Sequence, residues 1–172
     1  MRNVVLTRVD ERLIHGQVMT SWLKLCNANV ILIIDAGSAS NAFLKRILFA
    51  AAKKLYESPE RCALIQDDYQ NVIGHRTYQS AAYLKEDSPA GEKVLVLSKT
   101  PQPLLAMVRS GIEIKEIILG NMGGAPGRKH FNKSISASAD EIQAFRDLVD
   151  AGVYVYCQMV PSDAKEDVKK LL

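Results

Sequence analysis

The chain has 172 residues, 48% of them hydrophobic, and carries 22 Lys and Arg against 19 Asp and Glu, a formal net charge of +3. That length and apolar fraction suit one domain, 1–172, with a proper core. The mild, intermixed charge argues against a basic surface for nucleic acid, and no run approaches the ~18 apolar residues that cross a bilayer.

Val4 to Val9 reads as a first strand, running into the polar segment Asp10, Glu11, Arg12. The spacing of Val18, Trp22 and Leu25 predicts a helix from Gly16 to about Leu25. Val30 to Ile34 is a β-branched run suited to a strand covered on both faces. A polar turn, Asp35 to Asn41, offers helix caps at Ser38, Ser40 or Asn41, and Phe43, Leu44, Ile47, Leu48, Ala51 and Leu55 trace the helix stripe that follows. Cys62 to Ile65 is a short strand, and Tyr69, Val72, Ile73 and Tyr83 suggest one or two short helices. Lys93 to Leu97 is a strand, Ser98 to Pro103 turns into a helix ending at Gly111, and Lys115 to Leu119 is a further strand. Beyond the glycine-rich stretch 120–127, a helix is expected over about Ala139 to Asp150, closed by Gly152. Val153 to Cys157 is a last strand, and Pro161 to Leu172 looks like a short amphipathic helix. Short apolar strands alternating with helices favour an open, mostly parallel α/β sheet.

Cys26, Cys62 and Cys157 have no paired spacing, which fits a reducing compartment. Arg2 and Arg8 interrupt the opening apolar run, so it does not read as a signal peptide. A cytoplasmic chain that reaches the membrane only through a partner is expected.

Open parallel sheets place their sites beyond the carboxyl ends of the strands. The loop there with the most reactive composition is Asp10, Glu11, Arg12, Leu13, Ile14, His15, Gly16, Gln17. His15 stands where the loop enters a helix, near backbone N–H groups that attract an anion. A neutral imidazole is a nucleophile near pH 7, and Arg12 suits two-pronged contact with phosphate oxygens. Asp10 is the candidate to orient the ring or to fix Arg12. Gly16 allows close backbone approach, and Gln17 offers one more hydrogen bond. Leu13 and Ile14 serve either as an apolar docking surface or as core anchors. His75 and His130 lack a ligand array, so no metal is expected. The stretch 120–129 lacks the P-loop spacing, so no nucleotide is expected. Asn121 is assigned to the pocket lining, with Arg128 and Lys129 offering charge to an acidic partner or phosphoryl group. These residues alone leave phosphotransfer, anion binding and a packing role for His15 all open.

The segment from Leu6 to Val18, with Trp22 after it, resembles the opening of the IIB components of the mannose, fructose and sorbose family of the bacterial sugar phosphotransferase system. The similarity continues through Lys99, Thr100 and Pro101, then Asn121, Met122 and Gly123, the region 136–145, and Ala151, Gly152, Val153. It implies an α/β subunit with a mostly parallel central sheet of about seven strands, flanked by helices. It implies that His15, supported by Asp10 and Arg12, accepts a phosphoryl group from a IIA component on Nδ1. The group then passes to a sugar held by membrane IIC and IID components, without cofactor or metal. A homodimer is compatible with the resemblance. Two stretches depart from the family pattern, 67–90 and the glycine-rich 123–126.

Overall fold

The computed structural model describes residues 1–53, 62–66, 84–88 and 90–170, with the backbone alone at 53 and 62–66. The helical pattern at 67–83, His75 within it, and the Cys62 thiol lie outside the described residues.

Strands β1 (Val4–Asp10), β2 (Val30–Ile34), β3 (Cys62–Gln66), β4 (Val94–Ser98), β5 (Glu116–Asn121) and β8 (Tyr154–Cys157) are parallel; β6 (Lys129–Asn132) and β7 (Ile135–Ala137) form a separate antiparallel hairpin. A two-residue β9 (Glu166–Asp167) runs antiparallel to β8 and completes a seven-stranded sheet in the order β3-β2-β4-β1-β5-β8-β9. The expected mostly parallel α/β sheet is therefore present. From β1 the chain moves outward to β2 and β3, returns to β4, then crosses to β5 on the other side of β1. The carboxyl end of β1 is thus a point where the winding changes direction, and such a point opens a crevice.

Alternation along the strands divides the core into two layers. Val30, Leu32, Ile34, Val94 and Val96 face α4 (Gln102–Arg109) and α5 (Ala139–Asp150), meeting Leu104, Met107, Phe145 and Leu148. Ile31, Ile33, Leu95 and Leu97 face the opposite way, against Leu13, Ile14, Val18, Met19 and Trp22 and against Leu48 and Ala52 of α3 (Ala42–Lys53). Both faces are covered, which explains why the central strands read as unbroken apolar runs.

Local chemistry fixes the helix ends. Asp35 accepts from Ser38 N at 2.8 Å to start α2 (Ala36–Ser40), and Asn41 Oδ1 accepts from Phe43 N and Leu44 N, both at 3.0 Å, to start α3. Gly111 (φ 86°) and Gly152 (φ 88°) close α4 and α5, donating to Val108 O and Val149 O. Ile112 and Val153 then donate back to Met107 O and Leu148 O, the pattern of a left-handed helix stop. Among the described residues of the expected amphipathic helix at 161–172, no α-helix is formed over 161–170. The tail turns through 161–165 into β9 and a short 3₁₀ turn at Val168–Lys170, because Tyr156 and Cys157 leave an edge that pairs with Asp167 and Glu166.

Candidate functional site

β1 alternates, so Arg8 and Asp10 project from the same face, and both are fully buried. The Arg8 guanidinium donates Nε and Nη2 to Asp10 Oδ2 at 3.2 and 2.9 Å, Nη1 to Gln158 O at 2.9 Å and Nη2 to Met159 O at 3.1 Å. It also lies 5.1 Å from the Trp22 ring centroid, a cation–π distance. A Cβ on Gly120 of β5 would occupy the space held by Arg8 Nη2, so a residue without a side chain is required there. Burial pulls Arg8 below its ordinary pKa, against the opposing pull of Asp10.

The loop that follows is organised around the Asp10 carboxylate. Arg12 donates Nε to Oδ1 and Nη2 to Oδ2, each at 2.9 Å, and its backbone N to Oδ1 at 3.2 Å. Burial pushes the Asp10 carboxyl up, but the Arg12 hydrogen bonds and the charges of Arg8, His15 and Arg12 outweigh it and hold Asp10 below its ordinary value. The bond to Asp10 raises Arg12 in turn. Arg12 Nη2 further contacts Gln17 Oε1 at 3.3 Å and Met159 Sδ at 3.6 Å. Gln17 therefore orients Arg12 through its oxygen.

Leu13 N–H donates to Asp10 O at 2.9 Å, and Leu13 itself is left-handed, φ 53°. Its carbonyl then faces His15, with Nδ1 to Leu13 O at 2.9 Å. A carbonyl oxygen accepts, so Nδ1 carries the proton in this arrangement and the neutral ring has its lone pair on Nε2. Nε2 is buried without a hydrogen-bond partner, 3.7 Å from Asp10 Oδ2, and the His15 side chain is 16% exposed. His15 O accepts from Met19 N at 3.1 Å, which makes His15 the residue at which the helix begins. Turns at Val18–Trp22 have the wider i to i+5 spacing, Leu23 N–H reaching Val18 O, and run into α1 (Leu23–Cys26). The N–H groups of Gly16, Gln17 and Val18 have no intrahelical acceptor and add partial positive charge beside the ring.

The surrounding loops tie this centre to the rest of the sheet edge. Asn121 is level with Asp10 in the register and accepts from Glu11 N through its backbone oxygen; its side chain donates to Ser134 O at 3.3 Å, toward the hairpin. Arg128 differs from the expected surface charge. It pairs with Glu141 at 2.6 Å and Glu11 at 3.2 Å and donates to Gly123 O at 2.9 Å, because burial of Glu141 in the start of α5 demands a counter-ion. Lys129 is exposed, and His130 Nδ1 lies 3.3 Å from Ser136 Oγ in the hairpin. At the ends of β2 and β4, Lys99 Nζ pairs with Asp35 at 2.8 Å. Among the described residues no group of three or more His, Cys, Asp or Glu is placed to hold a metal ion.

The structure thus brings Asp10, Arg12, His15 and Gln17 together, with Gly16 on the helix start, and ties the Asn121 side chain to Ser134 O. Leu13 and Ile14 are 2% and 8% exposed, so both are core anchors. The sequence reading missed Arg8, Met159 and the Leu13 carbonyl. Arg8 had one usable signal: a charged residue two positions from Asp10 in an apolar strand shares its face.

The PTS system sorbose subfamily IIB component family matches residues 4–172. The N-acetylgalactosamine-specific phosphotransferase enzyme IIB component 2 of Escherichia coli K12 is 33% identical over 174 aligned positions, covering 100% of both chains. The mannose-specific EIIAB component of the same organism is 29% identical over 97% of this chain, which fills 47% of that longer protein. The crystal structure of the IIBSor domain of the Klebsiella pneumoniae sorbose permease superimposes with a TM-score of 0.82 at 30% identity, covering 98% of this chain and 94% of that one. With the sheet order, the loop after β1 and these matches in agreement, the chain belongs to the sorbose subfamily of IIB components of the sugar phosphotransferase system.

Proposed function

We propose that this chain is the phosphohistidine carrier of its transporter, taking a phosphoryl group on His15 from a IIA component and passing it to a sugar bound by membrane IIC and IID components. One observation carries the reading: His15 begins a helix at the sheet's winding switch, beside Arg12 held on two oxygens of Asp10. The relative whose name joins A and B functions in one protein supports a IIA donor. Among the described residues no helix is long and apolar enough to span a membrane.

In the transfer, a ring nitrogen lone pair of neutral His15 forms a bond to phosphorus as the bond to the donor nitrogen breaks, and that nitrogen recovers the electron pair. Arg12 and the helix-start N–H groups offset the negative charge on the equatorial oxygens. We assign acceptance to Nδ1. This requires Nδ1 to leave Leu13 O and the ring to carry its proton on Nε2, which lies 3.7 Å from Asp10 Oδ2 before the ring turns. A half-turn about Cβ–Cγ exchanges the two edges of the ring without moving the backbone.

Intact-mass analysis with phosphoenolpyruvate, the general phosphotransfer proteins and a IIA component tests the assignment. Wild type should gain about 80 Da in an acid-labile form, and His15→Ala should gain nothing. Heteronuclear NMR of the product should place phosphorus on Nδ1. If wild type stays unmodified beside a fully phosphorylated IIA, an anion-binding role replaces transfer.

A further inference from the structure

We infer that Arg8, which is wholly buried and cannot meet a phosphoryl group, is the positioning residue that aims Arg12 and leaves the site with a positive charge. The inference rests on the reading of His15 as phosphoryl acceptor. Asp10 alone would cancel Arg12, and the pair would offer an incoming phosphoryl group no net attraction. Within the Arg8–Asp10–Arg12 cluster, two guanidinium cations and one carboxylate leave one positive charge over neutral His15, and it is presented by Arg12, whose side chain is 35% exposed beside the wholly buried Arg8–Asp10 pair.

Geometry supplies the second half of the argument. Arg12 can be aimed only as well as the carboxylate it grips is held. Arg8 holds that carboxylate by two bonds to Oδ2, and its other two bonds run to Gln158 O and Met159 O. Met159 O also accepts from Trp22 Nε1 at 3.0 Å, so one guanidinium ties β1, the segment after β8 and the helix that His15 begins into a single frame. Burying an arginine is costly unless every donor is matched, and here an entire position of β5, Gly120, is left without a side chain to admit it. Ordinary packing does not call for that expense.

The test uses the full chain, two donors and three variants. Phosphoramidate, a small phosphoryl donor that needs no partner, and phosphorylated IIA each label the chain, followed by intact mass. For IIA, single-turnover rates against donor concentration yield a maximal rate and a half-saturation concentration. Arg8→Met should raise the half-saturation concentration, lower the maximal rate and slow phosphoramidate labelling about 10²-fold, the scale of a misplaced catalytic contact. Arg8→Lys keeps the charge and loses the fork, so half-saturation should stay near wild type while the maximal rate falls. The double variant Arg8→Met with Asp10→Asn also carries one positive charge and removes the unpaired buried carboxylate. It should behave as Arg8→Lys does, and with Arg8→Lys it decides the question if Arg8→Met alone does not fold.

A folded Arg8→Met with wild-type rates overturns the inference. So does recovery of the maximal rate by Arg8→Lys or by the double variant, since either would reduce Arg8 to a counter-charge. If phosphoramidate labels His15 and IIA never does, the IIA reading falls and Arg8 is judged on the phosphoramidate rates. If neither donor labels wild type, both readings fall together.

Discussion

Leu13 holds a left-handed backbone with φ 53° while its side chain is 2% exposed. Such a conformation costs a non-glycine residue on the order of 1 kcal/mol, and burying the side chain recovers about 2 kcal/mol. The leucine therefore anchors the loop against the helix that follows, and the backbone bend aims its carbonyl at His15. Leu13→Ala should lower unfolding stability in urea by about 3 kcal/mol. A loss below about 1 kcal/mol would show that the side chain is not the anchor. At this scale Asp10, Arg12 and His15 were legible because they are close in sequence. The Leu13 contact was not, since it depends on a single positive φ that composition does not announce.

The start of α5 shows how one element supports the site from a distance. Ser138 Oγ accepts from Glu141 N at 3.2 Å while Glu141 Oε2 accepts from Ser138 N at 2.8 Å, the reciprocal pair of a capping box. The same Glu141 carboxylate holds Arg128, and Arg128 holds Glu11 and Gly123 O beside the active loop. Ser138→Ala should cost about 1 kcal/mol in denaturant unfolding. By contrast Arg109→Ala, which removes an exposed pair with Asp147, should change stability by no more than about 0.5 kcal/mol. Equal effects from the two substitutions would contradict this account of the helix start. Helix bodies and stops could be read from periodicity and from Gly111 and Gly152. The Arg128–Glu11 link through which α5 reaches the loop spans 117 positions of sequence and could not.

Across the described residues, two buried carboxyls, Asp10 and Glu141, and one half-buried carboxyl, Asp35, share one sign of shift. Burial pushes Asp10, Asp35 and Glu141 up, and hydrogen bonds and charges from Arg12 and Arg8, from Lys99 and Ser38, and from Arg128 and Ser138 more than reverse it. Each is therefore lower in the folded chain than in the unfolded one. Their contribution is fully present above the unfolded values, near ~4, and is lost as pH falls through the lower folded values. Thermal unfolding followed by circular dichroism should show a falling midpoint below about pH 4, and Asp10→Asn should flatten that slope. An unchanged slope would mean that Asp10 is not charged by pairing in the folded state.

The sequence by itself determined the class of sheet, most helix and strand positions, the candidate loop after β1 and the family resemblance, because each depends on periodicity or on residues close together in the chain. Only the tertiary structure decided that Arg8 clamps Asp10, that Gly120 makes room for it, that Arg128 is tied inward and that the tail pairs with β8. It also decided that Leu13 and Ile14 belong to the core. Those outcomes depend on which distant backbone fills the space beside a side chain. A buried charge takes whichever partner the folded packing brings within hydrogen-bond distance, and that partner is set by strand order rather than by neighbours in the chain.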